Sequence, residues 1–132
     1  MDGQTIDYEH MHTIFVRDTF AAAHRLESYH GKCEQLHGHN FTVEVLLEGD
    51  TLGSEGMLVD FATVKGHLRE VLADLDHKYI NEIPFFRERA STSEYMALHI
   101  FEQLRARIAA PGVTLKEVRV WESANAYAAY RS

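Results

Sequence analysis

The chain of 132 residues has one cysteine, two prolines and no long apolar run. With Cys33 alone, no intrachain disulfide can form, so the fold rests on a hydrophobic core and the composition suits a reducing, cytoplasmic compartment. The longest stretch free of formal charge, Gln35 to Val43, is half polar and falls well below the roughly 18 apolar residues that cross a bilayer. Residues 1–12 read as a loose tail: Asp2, Asp7 and Glu9 break any secretory-signal pattern, and a single domain is expected over 13–132. Basic residues are also in deficit. Thirteen Lys plus Arg stand against twenty Asp plus Glu, a net charge of −7 with no basic block. That argues against nucleic acid as a partner and leaves room only for a local basic pocket able to hold a small anion.

What is present is an ordinary globular composition, 45% apolar and 25% charged, with one unusual load: nine histidines. Thr13 to Ala23 is rich in β-branched and aromatic residues and leads as a strand into His24. Arg25 to Leu36 is polar and holds Gly31, as a loop does. From His37 to Glu48 the pattern alternates, with Phe41, Val43, Val45 and Leu47 on one face and Thr42, Glu44 and Glu48 on the other. Asp60 can cap a helix whose apolar face comprises Phe61, Val64, Leu68, Val71, Leu72 and Leu75, closed by Asp76-His77. After an irregular stretch around Pro84, Ser91 and Glu94 carry the spacing of a capping box before a second helix that stops by Pro111-Gly112. Thr114 to Trp121 alternates as a strand, and Tyr127 to Tyr130 can return beside it. The order ββααββ predicts an α+β domain, a four-stranded antiparallel sheet with both helices on one face. Its two open edges are the kind that a homo-oligomer removes by pairing them between subunits.

One constellation stands out. In His37-Gly38-His39 the two imidazoles are two residues apart on a strand, so they project to one face, and the glycine leaves the intervening position free of bulk. With nine histidines, chance alone supplies roughly 0.6 such pairs, so the motif needs support from elsewhere. If the first two strands pair antiparallel, His24 supplies a third nitrogen, and three histidines with an open fourth position match a catalytic zinc site. Cys33 precedes His37 by four residues; beside a cation its thiol becomes a base or nucleophile, whereas away from one it is a small core hydrophobe. Asp76-His77 is either a helix C-terminus answered by an imidazole or an acid/base pair with the carboxylate fixing the tautomer. Glu122 ends a strand on the apolar parity of Val118 and Val120, as a frayed end or as an acceptor for ligand N–H groups.

Taken in order, Phe20-Ala21-Ala22-Ala23-His24, Cys33-Glu34-Gln35-Leu36-His37-Gly38-His39-Asn40-Phe41, Met57 to Phe61, Leu75 to Asn81, Ser91 to Glu94 and Trp121-Glu122-Ser123 resemble the 6-pyruvoyl and 6-carboxytetrahydropterin synthase family over nearly all of 13–130. The three residues between Cys33 and His37 resemble the 6-carboxytetrahydropterin branch of queuosine synthesis. The resemblance implies the tunnelling fold, in which sheets from three subunits join into a barrel and two trimers stack as a homohexamer. It implies Zn²⁺ on His24, His37 and His39, a lyase acting on 7,8-dihydroneopterin triphosphate, and 6-carboxytetrahydropterin, acetaldehyde and triphosphate as products. It further implies Cys33 as proton acceptor, His77 backed by Asp76 as relay, and Glu122, Thr92 and Ser93 around the pterin. Arg25, Lys32 and Lys78 are candidate cations for the triphosphate. Tyr95 and the run Ser123-Ala124-Asn125-Ala126 depart from the family pattern. Competing expectations are triphosphate elimination to 6-pyruvoyl tetrahydropterin, a non-catalytic zinc-binding oligomer, and a zinc hydrolase that works without the thiol.

Overall fold

The structure, a computed structural model, describes residues 10–27 and 35–132. Cys33 and Lys32, and most of the expected N-terminal tail, lie outside the described residues. Two long strands, β1 (His12–His24) and β2 (His37–Gly49), pair antiparallel along their whole length, and β3 (Thr114–Ser123) and β4 (Ala126–Arg131) extend the sheet in the order β1-β2-β3-β4. Between β2 and β3 run α1 (Phe61–Ala73), two single-turn 3-10 helices (Ile80–Glu82 and Pro84–Phe86) and α2 (Ser93–Arg107). Helix α1 packs on β1, α2 packs on β3 and β4, and the helices touch each other, giving the expected two-layer α+β arrangement. The sheet is open, with β1 and β4 at its edges. Among the described residues, no helix is long and apolar enough to cross a membrane.

Strand alternation sets the core. Val16, Phe20 and Ala22 of β1, Phe41, Val43, Val45 and Leu47 of β2, and Val118 and Val120 of β3 all face the helices and are buried. They meet Val64, Leu68, Val71 and Leu72 of α1 and Met96, Ala97, Ile100, Phe101 and Leu104 of α2, the positions that a 3.6-residue period brings to one side. Phe41 is fully buried and stacks on Phe20 with ring centroids 4.9 Å apart. Truncating such a ring to alanine costs about 3–5 kcal/mol. β2 ends at Gly49, where a Cβ would stand 2.5 Å from both the Gly112 carbonyl oxygen and the Leu58 side chain.

Three expectations are corrected, and one burial adds to what the strand pattern showed. Phe61 opens α1 but is 54% exposed, while Val64, three residues on, is buried in the core, so the buried face of α1 begins at Val64. Asp76-His77 does not close α1, which ends at Ala73; both fall in the turn that follows, and Leu75 is buried there. The cap of α2 is Thr92, whose hydroxyl accepts from the Tyr95 N–H, and not Ser91. Ser91 is instead fully buried, its hydroxyl donating to the Arg25 carbonyl at 3.1 Å. Finally, Glu44 belongs to the sheet face turned away from the helices yet is 4% exposed. Its carboxylate accepts from Trp121 Nε1 at 2.6 Å and from Arg17 at 2.7 Å, with Arg119 at 3.8 Å. Burial alone would raise its pKa, but the hydrogen bonds from Trp121 and Arg17 and the two positive charges outweigh it and hold the carboxyl below its ordinary range.

Candidate metal centre and active site

The register of β1 and β2 pairs His24 with His37 and Ala22 with His39, so the antiparallel hairpin brings three imidazoles to one end of the sheet on the helix-covered face. The ring centroids of His24 lie 4.7 Å from His37 and 5.3 Å from His39, and those of His37 and His39 are 4.5 Å apart. Phe41, the next residue of that face, lies 5.5 Å from His24 and from His39 and forms an apolar floor. A Cβ on Gly38 would meet the Ala22 carbonyl oxygen at 3.9 Å, an ordinary contact, so within the described residues this glycine is not sterically demanded.

Glu122 joins them from β3. The pairing of β3 with β4 shifts register between Trp121 and Ser123, and Glu122 sits at that irregularity, the type of bulge that re-aims a side chain. One of its oxygens, Oε1, is 3.2 Å from His24 Nε2 and 3.3 Å from His39 Nε2. One ligand atom from each of His24, His37, His39 and Glu122 fits within 4.8 Å of all the others. Ligand bonds of about 2.0–2.1 Å arranged tetrahedrally place neighbouring donors about 3.3–3.4 Å apart, close to the two spacings observed.

The surroundings fit a cation. His24 Nδ1 lies 2.7 Å from the Ser91 carbonyl oxygen and His37 Nδ1 lies 2.9 Å from that of Gln35. A carbonyl only accepts, so each Nδ1 carries the proton and each Nε2 is the unprotonated nitrogen, the arrangement found behind metal-ligating histidines. His24 Nε2 is buried and, despite the nearby carboxylate, has no partner in hydrogen-bond geometry. A buried lone pair left this way costs about 1–3 kcal/mol, a cost that a bound metal removes. The four donors, three neutral nitrogens and one carboxylate, form a possible metal-binding group of the type that suits zinc.

Asp76 and His77 form a separate pair. Asp76 Oδ1 accepts the Ala21 N–H at 2.9 Å, Oδ2 stands 3.0 Å from His77 Nδ1, and the His77 N–H donates to the Ala21 carbonyl at 2.6 Å. The Ala21 hydrogen bond, then that to His77, holds the Asp76 carboxyl below its ordinary value of 3.8 against the opposing effect of desolvation. His77 has φ of +59°, and its side chain is 82% exposed. Among the described residues it makes no contact with the three-histidine group, so the structure does not bring this pair to the donors. Ser93, Glu94, Glu122 and Tyr127 line a cavity of about 170 Å³ beside the donors. Thr92 caps α2 next to it. Glu94, hidden in the sequence by its place in a capping-box pattern, and Tyr127, read only as part of a strand, are residues of this cavity that pattern reading missed. Ser91 was missed in the same way. Of the candidate cations, Arg25 borders a second cavity, whereas Lys78 is exposed and lines none of the described cavities. The widest described cavity, about 420 Å³, lies on the far face of the sheet beside Arg17, Glu44 and Trp121, away from the imidazoles.

Residues 13–132 match the family model described as 6-pyruvoyl tetrahydropterin synthase. The chain is 39% identical over 127 residues to the 6-carboxy-5,6,7,8-tetrahydropterin synthase of Synechocystis sp., covering 92% of this chain and 95% of that protein. It is 36% identical over 112 residues to a putative 6-pyruvoyl tetrahydrobiopterin synthase of Caenorhabditis elegans, covering 75% and 80%. The solved structure of the Caenorhabditis elegans 6-pyruvoyl tetrahydropterin synthase superposes with a TM-score of 0.82 at 32% identity, over 92% of this chain and 96% of that one. A match over the whole described domain, with the fold reproduced, makes this chain an enzyme of the 6-pyruvoyl tetrahydropterin synthase family.

Proposed function

We propose that the protein is a zinc-dependent lyase, a 6-carboxy-5,6,7,8-tetrahydropterin synthase that converts 7,8-dihydroneopterin triphosphate to 6-carboxytetrahydropterin, acetaldehyde and triphosphate in queuosine synthesis. The observation that carries the metal-dependent part is the group of three imidazoles and a carboxylate, with two of the imidazoles fixed by carbonyls as donors. The spacing of Cys33 and His37 favours the carboxy branch, and relatives in the family bear both names.

His24, His37 and His39 would hold Zn²⁺, which when bound would supply Lewis acidity toward the hydroxyls of the substrate side chain. Ser91 and Gln35 keep two of those imidazoles in the ligating tautomer. Glu122 is the most exposed of the four donors, with 40% of its side chain open, and it faces the cavity shared with Ser93. Its carboxylate is thus the one free to turn toward the pterin's N–H groups, with Thr92 and Ser93 beside the ring. Cys33 accepts the proton from the substrate carbon. His77, its Nδ1 held by Asp76, presents Nε2 as a proton donor and acceptor. The open edges of β1 and β4 support a homohexamer of two trimers in which sheets close into a barrel. The lone cysteine supports a cytoplasmic location.

The test is incubation of zinc-loaded protein with 7,8-dihydroneopterin triphosphate, with pterins resolved by chromatography and acetaldehyde read by a coupled hydride assay. Acetaldehyde together with 6-carboxytetrahydropterin is the expected result. A pyruvoyl product without acetaldehyde assigns the other branch. Full turnover by C33A refutes the base, and full turnover without metal refutes zinc dependence. Sedimentation at the mass of one chain refutes the oligomer.

A further inference from the structure

A cavity of about 310 Å³ lies at the end of β1, between Arg25 and the segment that follows the second 3-10 helix, and three guanidinium groups, those of Arg25, Arg87 and Arg89, line it. Elsewhere in this acidic chain, four arginines are answered by carboxylates: Arg17 by Glu44, Arg69 by Asp18, Arg105 by Glu102, Arg119 by Glu117. Among the described residues, Arg87 and Arg89 of the cavity are not. Arg87 Nε donates to the Glu82 carbonyl at 3.3 Å, and Arg89 Nη1 donates to the Phe85 carbonyl at 2.8 Å while its guanidinium lies 4.2 Å from the Phe85 ring centroid. These contacts orient the forks and leave the charge of each without an ion pair among the described residues. Arg25 pairs with Glu27 at 3.5 Å through Nη2, while its Nε is buried with no acceptor among the described residues. Glu27 and Glu88 also border the cavity, so three positive charges face two negative ones, a local excess of +1 in a chain of −7.

The cavity adjoins the donor group through one-residue steps. Arg25 follows His24, and Ala90, in the cavity wall, precedes Ser91, whose carbonyl holds His24. Asn81 clamps Arg25 at both its N–H (2.9 Å) and its carbonyl (2.7 Å), so the residue is fixed relative to the metal ligand beside it. Unpaired, preoriented guanidinium forks bind phosphate oxygens in bidentate fashion. Resting on the function proposed above, we infer that this cavity is the oligophosphate subsite, with Arg25, Arg87 and Arg89 holding the triphosphate while the reacting carbons lie at the imidazoles.

The probe is inorganic tripolyphosphate, titrated calorimetrically into the full-length protein as purified and again after chelator treatment, since arginines need no metal. R87Q/R89Q is compared with R69Q/R105Q, which removes the same charge from exposed positions elsewhere; melting curves confirm that both fold. The expected result is binding with and without metal, weakened about tenfold or more in R87Q/R89Q and less than about twofold in the control. The KM for 7,8-dihydroneopterin triphosphate should rise by a similar factor. No binding to the wild type after chelation, or equal loss in both variants, overturns the subsite. Tripolyphosphate binding lost in R87Q/R89Q, together with no turnover of the pterin, upholds an anion site and sinks the proposed reaction instead. Turnover with an unchanged KM in R87Q/R89Q does the reverse.

Discussion

His77 offers a test in which stability and activity separate. Its φ of +59° places a residue with a Cβ in the left-handed region, and its side chain is 82% exposed, so the side chain returns little packing energy for the strain. Comparing H77A with H77G cancels every contact of the imidazole, because both variants lack it. The left-handed conformation costs an L-residue roughly 1–2 kcal/mol that glycine avoids, while glycine's extra unfolded entropy returns about 0.5–1 kcal/mol of that. H77G should therefore be the more stable by about 0.5–1 kcal/mol, reversing the usual order of Ala over Gly. Unfolding entropy of about 2.1 cal/mol/K per residue over 132 residues gives about 0.28 kcal/mol per kelvin. H77G should then melt roughly 2–4 °C above H77A in calorimetry at fixed zinc. Turnover should fall in both by the same factor, roughly 10²–10⁴ for loss of an acid/base group. An alanine variant that melts at or above the glycine variant refutes the strain argument. Either variant keeping more than about a tenth of wild-type kcat refutes the relay.

Other outcomes follow from the same geometry. Zinc at about 100 times its Kd should raise stability by about 2.7 kcal/mol, a shift of roughly 10 °C at the slope above, and H37A or H39A should abolish it in differential scanning fluorimetry; a wild-type melting point indifferent to zinc over three decades of concentration would sink the metal site. E44L removes the acceptor of Trp121 Nε1, but Arg17 is 58% exposed and turns to water, so the cost should be about 1–3 kcal/mol, below that of a fully buried pair, as read by urea denaturation. His99 has its pKa lowered, first by burial and then by Arg89, against the opposing charge of Asp74. The unfolded chain therefore takes up a proton first as pH falls below 6.5, and stability should decline from there, a decline that H99Q removes. Glu44 and Asp76, with lowered pKa values, add stability that is complete above 4.5 and is lost only at more acid pH, as denaturation curves across pH 3 to 8 should resolve.

Most of the fold was legible because each strand and helix carries its own period. The alternation of Phe41, Val43, Val45 and Leu47 fixes which face of β2 meets the helices, and the capping Asp60 with Val64, Leu68, Val71 and Leu72 does the same for α1. The misreadings occur where local and tertiary demands coincide on one residue. Ser91 has the chemistry of a helix cap, but the neighbouring Thr92 takes that role and Ser91 is spent on Arg25 and His24, 66 and 67 residues away in sequence. Glu44 has the parity of a solvent-facing residue and is buried by Arg17 and Trp121, which no strand pattern announces. His24, His37 and His39 could be grouped because strand pairing alone brings them together. Glu122 shares the parity of Val118 and Val120 in the sequence, but its approach to His24 and His39 depends on the pairing of β3 with β2, which the sequence does not announce.

The donor group also explains why parity was informative at all. Each donor continues a core stripe: Phe20 and Ala22 run into His24, Phe41 into His39 and His37, Val118 and Val120 into Glu122. A stripe of this kind is held in place by the packed helices, so the donors inherit the rigidity of the core while lying at its end. Exposure grades across them, from 2% for the side chain of His24 through 30% for His39 to 40% for Glu122. The deeply held nitrogen sets the position of a cation, and the rim carboxylate is left able to exchange partners. A one-residue insertion between His39 and Phe41 would turn both β2 imidazoles to the opposite face while leaving Phe41 to Leu47 in register, since side chains alternate with period two. Such a variant should fold near wild-type stability in the metal-free state and bind no zinc. An insertion variant that still binds zinc with wild-type affinity would break the link between the core stripe and the site.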